Sequence, residues 1–392
     1  MNAVKEAPAA VGDAQTVDVL SAESPLAAAQ AGNAGFRIAS AALDKLFKFP
    51  PFFETAKNSA RTKIVKRAAL LGVDWDARVD ELQRIQYDAL YSADVAAATP
   101  AYYKSPFHAY AEGNLCWQAA LEVEPSAISV HANIYTENGE FERDGDDKLR
   151  STFLSRTLEI LRDSGAPAPK DIVDLGCSTG LSTLALSRTF PDARHITGVD
   201  LSPHMLSIAR LQLATRPDLT SSVNFKPINF ILNFNFTPRL AGVDLSPHML
   251  SVARHQLATR PDLTARAAPR RIDYVYAAAE ATGLPDASAD LVCLCLVAHE
   301  LPQGATRAIL AEARRVLRRG GALAFMDMDP LSPAFQRMAT NPMAFAGFKS
   351  TEPFLLDYVS LDFKAALAET GFERVAIRSN SPRHRTVVAF TA

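Results

Sequence analysis

Asp171-Ile-Val-Asp-Leu-Gly-Cys-Ser-Thr-Gly180 decides how the chain is read. Asp171 to Leu175 reads as a buried strand, and Gly176 and Gly180 mark a turn that opens a helix, Leu181 to Phe190. The same grammar continues downstream. His195 to Val199 is expected as a strand, Pro203 to Ala214 as a helix, and Ile272 to Ala277 and Leu291 to Val297 as strands. Thr306 to Arg318 reads as a helix stopped by Gly320-Gly321, with Ala322 to Met326 as the next strand. Such alternation implies a parallel, doubly wound α/β sheet. The tail differs: a helix, Leu361 to Thr370, precedes two strands, Arg374 to Arg378 and Thr386 to Phe390. Their short connection makes an antiparallel hairpin at the edge of the sheet.

Upstream the pattern is mainly helical. Leu149 to Ser164 reads as a helix closed by Gly165, Pro167 and Pro169. From Phe36 to about Ile128, helical spacing groups Ala42, Leu43, Leu46 and Phe47, then Ile64, Ala68 and Leu71, then Val79, Leu82, Ile85 and Leu90. Pro50-Pro51 breaks the first of these helices. Thr99 to Trp117 is rich in aromatic residues and prolines. It reads either as a loop packed by its own aromatics or as a lid over a cleft. Residues 1–35 hold eleven alanines, no aromatic residue, one cation and four acids. Such a segment buries little and is expected to be disordered. It is neither Arg-rich nor acid-poor, so its composition does not suit an organelle transit peptide. The expected organisation is a tail (1–35), a mainly helical region or lid (36–165) and an α/β domain (166–392).

The chain has 392 residues, 41 Lys plus Arg and 43 Asp plus Glu, for a net charge of −2. No basic excess favours nucleic acid or an anionic membrane surface. The longest strongly apolar run, Leu291 to Ala298, is far short of the ~20 residues of a membrane span. Four cysteines make no disulfide framework. Cys293 and Cys295 share one face of a strand, and without further ligands they make no zinc site, so no metal is expected. These features describe a protein of a reducing compartment, with the cytoplasm suggested by composition alone.

One feature stands apart. Residues 197–220 and 241–264 agree at 21 of 24 positions. The intervening 221–240 carries four Asn and four Phe and no alanine, in an alanine-rich chain. Two copies do not make a solenoid. Recent duplication, or translated non-coding sequence, explains 221–264 better than a designed element.

The chemistry is carried by Asp174 to Gly180 and by Asp200. Glycine at 176 and 180 lets the backbone turn tightly and approach a ligand. The helix that follows offers free N–H groups to a carboxylate. Asp200 ends the next strand, where a carboxylate can bind both hydroxyls of a ribose. The dinucleotide fingerprint GxGxxG has a glycine where this chain has Ser178. Asp174 suits a cationic amino-acid moiety better than a diphosphate. S-adenosylmethionine fits the loop, the acids and the C-terminal hairpin, whereas NAD fits only Asp200.

These residues resemble class I SAM-dependent methyltransferases of the type 11 group, near the ubiquinone/menaquinone-biosynthesis C-methyltransferases. The resemblance rests on Val173 to Gly180, Gly198-Val-Asp-Leu-Ser202 with Met205, Ala289 to Val292 with His299-Glu-Leu301, and Leu317 to Gly321. It covers about 166–392. Phe107-His-Ala-Tyr-Ala-Glu-Gly-Asn114, Ser350 to Phe354 and Pro382 to Arg385 look like a plant and algal subgroup, many of whose members are plastid proteins. The resemblance implies a Rossmann-like sheet in which Asp174, Gly176, Cys177, Ser178 and Gly180 cradle the methionine part of SAM. It implies that Asp200, with Leu201 and Met205 beside it, holds the ribose. Ala279 and Glu280 would flank adenine. There the usual acid-Ala-Glu stretch reads Ala278-Ala279-Glu280, so the contact falls to backbone or Glu280.

Methyl transfer is an in-line displacement with a neutral leaving group, so orientation and desolvation dominate. A base is needed only where the acceptor must lose a proton. His299 is the candidate base, or else it hydrogen-bonds to hold its loop. His108, Tyr110 and Glu112 are further lid candidates. Arg314, Arg315, Arg318 and Arg319 read as solvated cations at a helix C-terminus rather than an anion patch. The expected partner is a small-molecule methyl acceptor, lipophilic or phenolic. The alternatives are a non-catalytic methyltransferase-like binding module and, more distantly, an NAD-dependent oxidoreductase. Asp200 and Asp244 compete for one ribose, and the short connection from Pro191 to His195 favours Asp200. Deleting 221–264 should therefore leave a chain that folds at least as well and keeps its SAM affinity, by thermal melting and calorimetric titration. Asp200→Ala should weaken SAM strongly and Asp244→Ala little; the reverse ranking would give the ribose to the second copy.

Overall fold

The computed structural model of the chain describes residues 50–84, 99–104, 107–108, 110, 112–136, 139–214 and 271–392. The expected tail 1–35, the helical face at 42–47, Ile85 and Leu90, and the duplicated 221–264 with Asp244 lie outside the described residues.

Seven strands form one sheet in the order β3-β2-β1-β4-β5-β7-β6. They are β1 (Asp171–Leu175), β2 (His195–Asp200), β3 (Arg271–Tyr276), β4 (Ala289–Cys295), β5 (Leu317–Met328), β6 (Phe372–Ser379) and β7 (His384–Thr391). β1 to β5 run parallel, while β7 pairs antiparallel with both β5 and β6. The hairpin expected from the C-terminal pattern is therefore present, with β6 on the edge and β7 wholly buried between its neighbours.

Alternation along the strands assigns the two cores. Val173, Leu175, Val292 and Leu294 enter one core with α7 (Gln303–Val316), α10 (Leu355–Ser360) and α11 (Phe363–Glu369). Ile172, Leu291, Cys293 and Cys295 enter the other with α4 (Gly145–Asp163), α5 (Leu181–Thr189) and α6 (Pro203–Ala214). The two cysteines do share a face, and all four thiols are free.

Several expectations are corrected. Pro50-Pro51 begins a helix, α1 (Pro50–Leu70), rather than only ending one, because proline is tolerated where no intrahelical N–H is required. α7 stops at Val316, and Gly320-Gly321 lies inside β5, where the register against β4 shifts between Ala289 and Leu291. Gly320 takes φ +73°, which the bulge requires and glycine permits. Two of the four arginines at the end of α7 are paired rather than simply solvated. Arg315 bridges Glu312 and Asp286, and Arg318 bridges Asp171 and Asp290. Residues between β5 and α11, for which the sequence pattern suggested no elements, form α8 (Pro333–Ala339), α9 (Pro342–Thr351) and α10. The first two are capped by Ser332 and Asn341, whose side chains accept amides of the first turn.

The helical region also includes α2 (Trp75–Gln83) and α3 (Trp117–His131). Leu82, Ala119, Ala120 and Leu121 pack with Met205 and Ile208, which seats these helices on α6. Glu122 of α3 accepts from Arg61 and from the Tyr110 hydroxyl (2.6 Å). From α4, Arg150 donates to Asp146 (2.9 Å) and to the Cys295 sulfur (3.3 Å), tying the helical region to the sheet.

Phe325, 3% exposed, stacks against Phe363 at 5.1 Å between ring centroids. Phe325→Ala should cost about 3–5 kcal/mol in urea unfolding, because a packed aromatic leaves a cavity.

Candidate cofactor and acceptor site

The turn after β1 folds back onto β2. The Gly176 and Cys177 amides both donate to the Val199 carbonyl (2.8 and 3.0 Å). Gly176, Ser178 and Gly180 all have positive φ, at 70°, 49° and 84°. Ser178 is held there because its amide donates to Asp200 Oδ2 (2.8 Å), while the Ser202 amide donates to Asp200 Oδ1 (2.7 Å). The Ser178 hydroxyl meets the Met205 sulfur at 3.4 Å. Leu201 is half-buried beside them, and Cys177 is buried, its thiol pushed up by burial.

The glycines do more than admit a ligand. A Cβ on Gly176 would lie 2.7 Å from the Val297 side chain, and one on Gly180 would lie 2.4 Å from the Tyr274 hydroxyl. Both positions are closed by protein, so at least part of the requirement is packing.

Asp174 and Asp200 are buried acids on adjacent strands. Burial raises each carboxyl to about 6, and Asp174 adds to the rise of Asp200. Asp174 Oδ2 accepts from Ser182 (2.7 Å) and Thr183 (2.6 Å), so this acid braces the start of α5. Its Oδ1 is buried without a hydrogen-bond partner, an acceptor that a bound donor would satisfy.

After β3, Ala279 is half-buried in the turn closed by the Ala278–Ala281 bridge. Glu280 accepts a hydrogen bond from Tyr102. Tyr102 belongs to the short 3-10 turn Ala101–Lys104, so this described part of the aromatic stretch meets the loop after β3 and is not packed only on itself. Asn114 accepts from the Ser202 hydroxyl (2.7 Å) and donates to Glu300 (3.3 Å). Tyr103 is raised well above the ordinary phenol range by burial, with Asp200 and Glu300 adding to the effect. Tyr102, Tyr103, Phe107, Asn114, Glu300, Pro353 and Phe354 line a cavity.

Next to the cavity-lining Glu300, His299 Nδ1 lies 2.8 Å from Asp327 Oδ1, and the His299 amide donates to Asp327 Oδ2 (3.1 Å). Burial lowers the imidazole, but Asp327 outweighs it and lifts His299 to about 10. Burial raises Glu300 to about 7. The hydrogen bonds that hold the His299 loop are therefore real, and Nδ1 is committed to them.

The structure thus brings Gly176, Ser178, Asp200 and Met205 together at one loop. Ala279 and Glu280 lie on the next, and His299 stands beside the cavity-lining Glu300. Tyr102, Tyr103, Asn114, Glu300, Asp327, Glu352 and Phe354 escaped the residue-by-residue reading. The sequence signals for them were the aromatic stretch 99–117, the stretches 107–114 and 350–354 and the motif 299–301, with none for Asp327. The stretches 107–114 and 350–354 meet here: the His108 amide donates to the Thr351 carbonyl (3.2 Å).

Comparison with known proteins points to methyltransferase domains. A family model of type 25, described as a methyltransferase domain, matches residues 172–229, and one of type 11, with the same description, matches 226–325. The matches meet between the two copies of the repeat, so each takes one copy. The magnesium-protoporphyrin O-methyltransferase of Rhodobacter capsulatus is 36% identical over 83 residues, 21% of this chain and 32% of that protein. The trans-aconitate 2-methyltransferase of Acidovorax sp. is 38% identical over 76 residues, 19% of this chain and 29% of that protein. The chain thus matches about a third of the length of these relatives. Human N-acetylserotonin methyltransferase, solved with SAM, is 12% identical and has a TM-score of 0.39, over 84% of this chain and 70% of that one.

Gly176→Val combines a left-handed backbone with the Val297 contact. It should therefore lower thermal stability by about 1–3 kcal/mol as well as weakening the cofactor. A variant of unchanged melting temperature that has lost only ligand binding would show that the glycine serves the ligand alone.

Proposed function

We propose that the chain transfers a methyl group from SAM to a small-molecule acceptor of lipophilic or phenolic character. The observation that carries this reading is the adjacency of two features. One is a glycine turn tied to a buried strand-end acid, and the other is an aromatic-lined cavity, with Tyr103 influenced by both Asp200 and Glu300. The cofactor, when bound, supplies an electrophilic methyl on a sulfonium sulfur.

The residues present suit that group. Asp200 keeps lone pairs for ribose hydroxyls beyond the two amides it accepts. Ala279 and Glu280 would flank adenine. The unpartnered Asp174 Oδ1 and the turn 176–180 would take the methionine part. Tyr102 closes the Glu280 end, and the stretch 99–117 acts as a lid that excludes water. At the acceptor end His299, oriented by Asp327 and held as the imidazolium near neutral pH, stands as a hydrogen-bond donor to an acceptor oxygen and takes a proton from it only once its own has left.

The aromatic lining supports a flat or lipophilic acceptor. Convergence of the 107–114 and 350–354 stretches at that lining supports the finer likeness to the plant and algal subgroup near the ubiquinone/menaquinone C-methyltransferases. The near-neutral charge gives no reason to expect a nucleic-acid acceptor.

Incubation with methyl-labelled SAM and a metabolite extract should yield a labelled small molecule. A chain that binds SAM without producing one would be a binding module. Asp200 must be ionised to accept from both hydroxyls. Affinity for S-adenosylhomocysteine should therefore be flat well above pH 6 and fall below it, approaching roughly tenfold per pH unit. Asp200→Asn should flatten the dependence; a wild-type affinity unchanged down to pH 5 would remove Asp200 from the ribose.

A further inference from the structure

A second cluster of chemistry-bearing side chains lies beside the cavity. One donor atom each from His108, His299 and Glu300 lies within 4.8 Å of the others. His108 Nε2 is 3.2 Å from Glu352 Oε1 and 3.9 Å from Glu300 Oε1. With Asp327, three carboxylates stand around two imidazoles.

Glu352 is 5% exposed, and its Oε2 is buried with no hydrogen-bond partner. Such an oxygen is costly unless something binds it. Asp327 holds His299 by Nδ1, which leaves Nε2 as the outward donor. This carboxylate–histidine relation orients imidazoles that ligate metals. Asn114 holds Glu300 by Oε2, leaving Oε1 toward His108. His108 sits at φ +49°, a strained value for a residue with a side chain.

We infer that His108, His299, Glu300 and Glu352 form a site for one divalent transition-metal ion, of the kind that two imidazoles and carboxylates select. Metal–ligand bonds of about 2.0–2.2 Å require donors closer together than here. Binding therefore draws the donors inward, and His108, whose side chain is 41% exposed, has room to move. Resting on the methyltransferase reading, the inference gives the ion a role as holder of an acceptor oxygen. The coordinated hydroxyl loses its proton to solvent. The oxygen lone pair then forms the C–O bond while the C–S pair leaves with sulfur, giving the methyl ether and S-adenosylhomocysteine. His299 is then a ligand rather than the proton acceptor.

The full chain, stripped with chelator, is titrated calorimetrically with Zn²⁺, and SAM is titrated separately. One saturable Zn²⁺ site is expected, weakened roughly tenfold or more in His108→Ala and in Glu300→Gln, with SAM affinity within about twofold of wild type. X-ray absorption of the loaded chain should show two imidazoles. Absence of saturable binding, or variants that bind Zn²⁺ as wild type does, overturns the site. Zn²⁺ binding that follows the variants in a chain that does not bind SAM would support the site and refute the methyltransferase reading. SAM binding and methyl transfer by a chain without a Zn²⁺ site would do the converse.

Discussion

The C-terminal edge of the sheet depends on one carboxylate. Asp200 ends a parallel strand and accepts the amides of Ser178 and Ser202, from the loops after β1 and β2. An acid 6% exposed gives up hydration to stand there, which is why burial lifts it to about 6. The two amides recover part of that cost, and in return both loops hold their form. Ser178 accepts a left-handed backbone, and Ser202 is placed so that its hydroxyl donates to Asn114. The helical region is thereby pinned to the same edge. One interaction couples the turn, the strand end and the lid segment, so a change at residue 200 alters all three.

Local pattern made much of the sheet legible. β1 and α6 have the bounds that apolar runs and punctuation imply, Asp171–Leu175 and Pro203–Ala214. Each lies between strong local signals. β5 was harder, because two adjacent glycines normally end an element, whereas here they pass through a register shift held by the pairing of Ala289 with Leu317. That constraint belongs to the neighbouring strand and leaves no mark in the local sequence. Glycines 176 and 180 illustrate a different limit. Their positive φ is deducible from the turn, but the crowding by Val297 and Tyr274 comes from β4's following loop and from β3.

The two ends of the site differ for the same reason. The cofactor end is built from consecutive segments, β1 to β2 with their turns, so its residues fall at motif spacing. The acceptor end collects His108 from the helical region, His299 and Glu300 after β4, Asp327 at the end of β5 and Glu352 after α9. No window of sequence contains two of its imidazoles, and spacing rules have nothing to act on. His299 was noticed because it follows a strand, but its partner Asp327 lies on the neighbouring strand and comes into view only once β4 and β5 pair.

The repeat shows the same distinction between motif and place. The first copy supplies β2, and β2 occupies one edge of β1 while β4 occupies the other. Both edges of the strand that carries the glycine turn are therefore used. A family model read linearly along the chain has only one position for this strand and helix, so two models divide the two copies between them. Duplicating Gly-Val-Asp-Leu-Ser duplicates the letters of the strand-end acid proposed to bind ribose. The capacity to bind also requires the amides of Ser178 and Ser202 around that acid, and the turn that supplies Ser178 occurs once in the sequence.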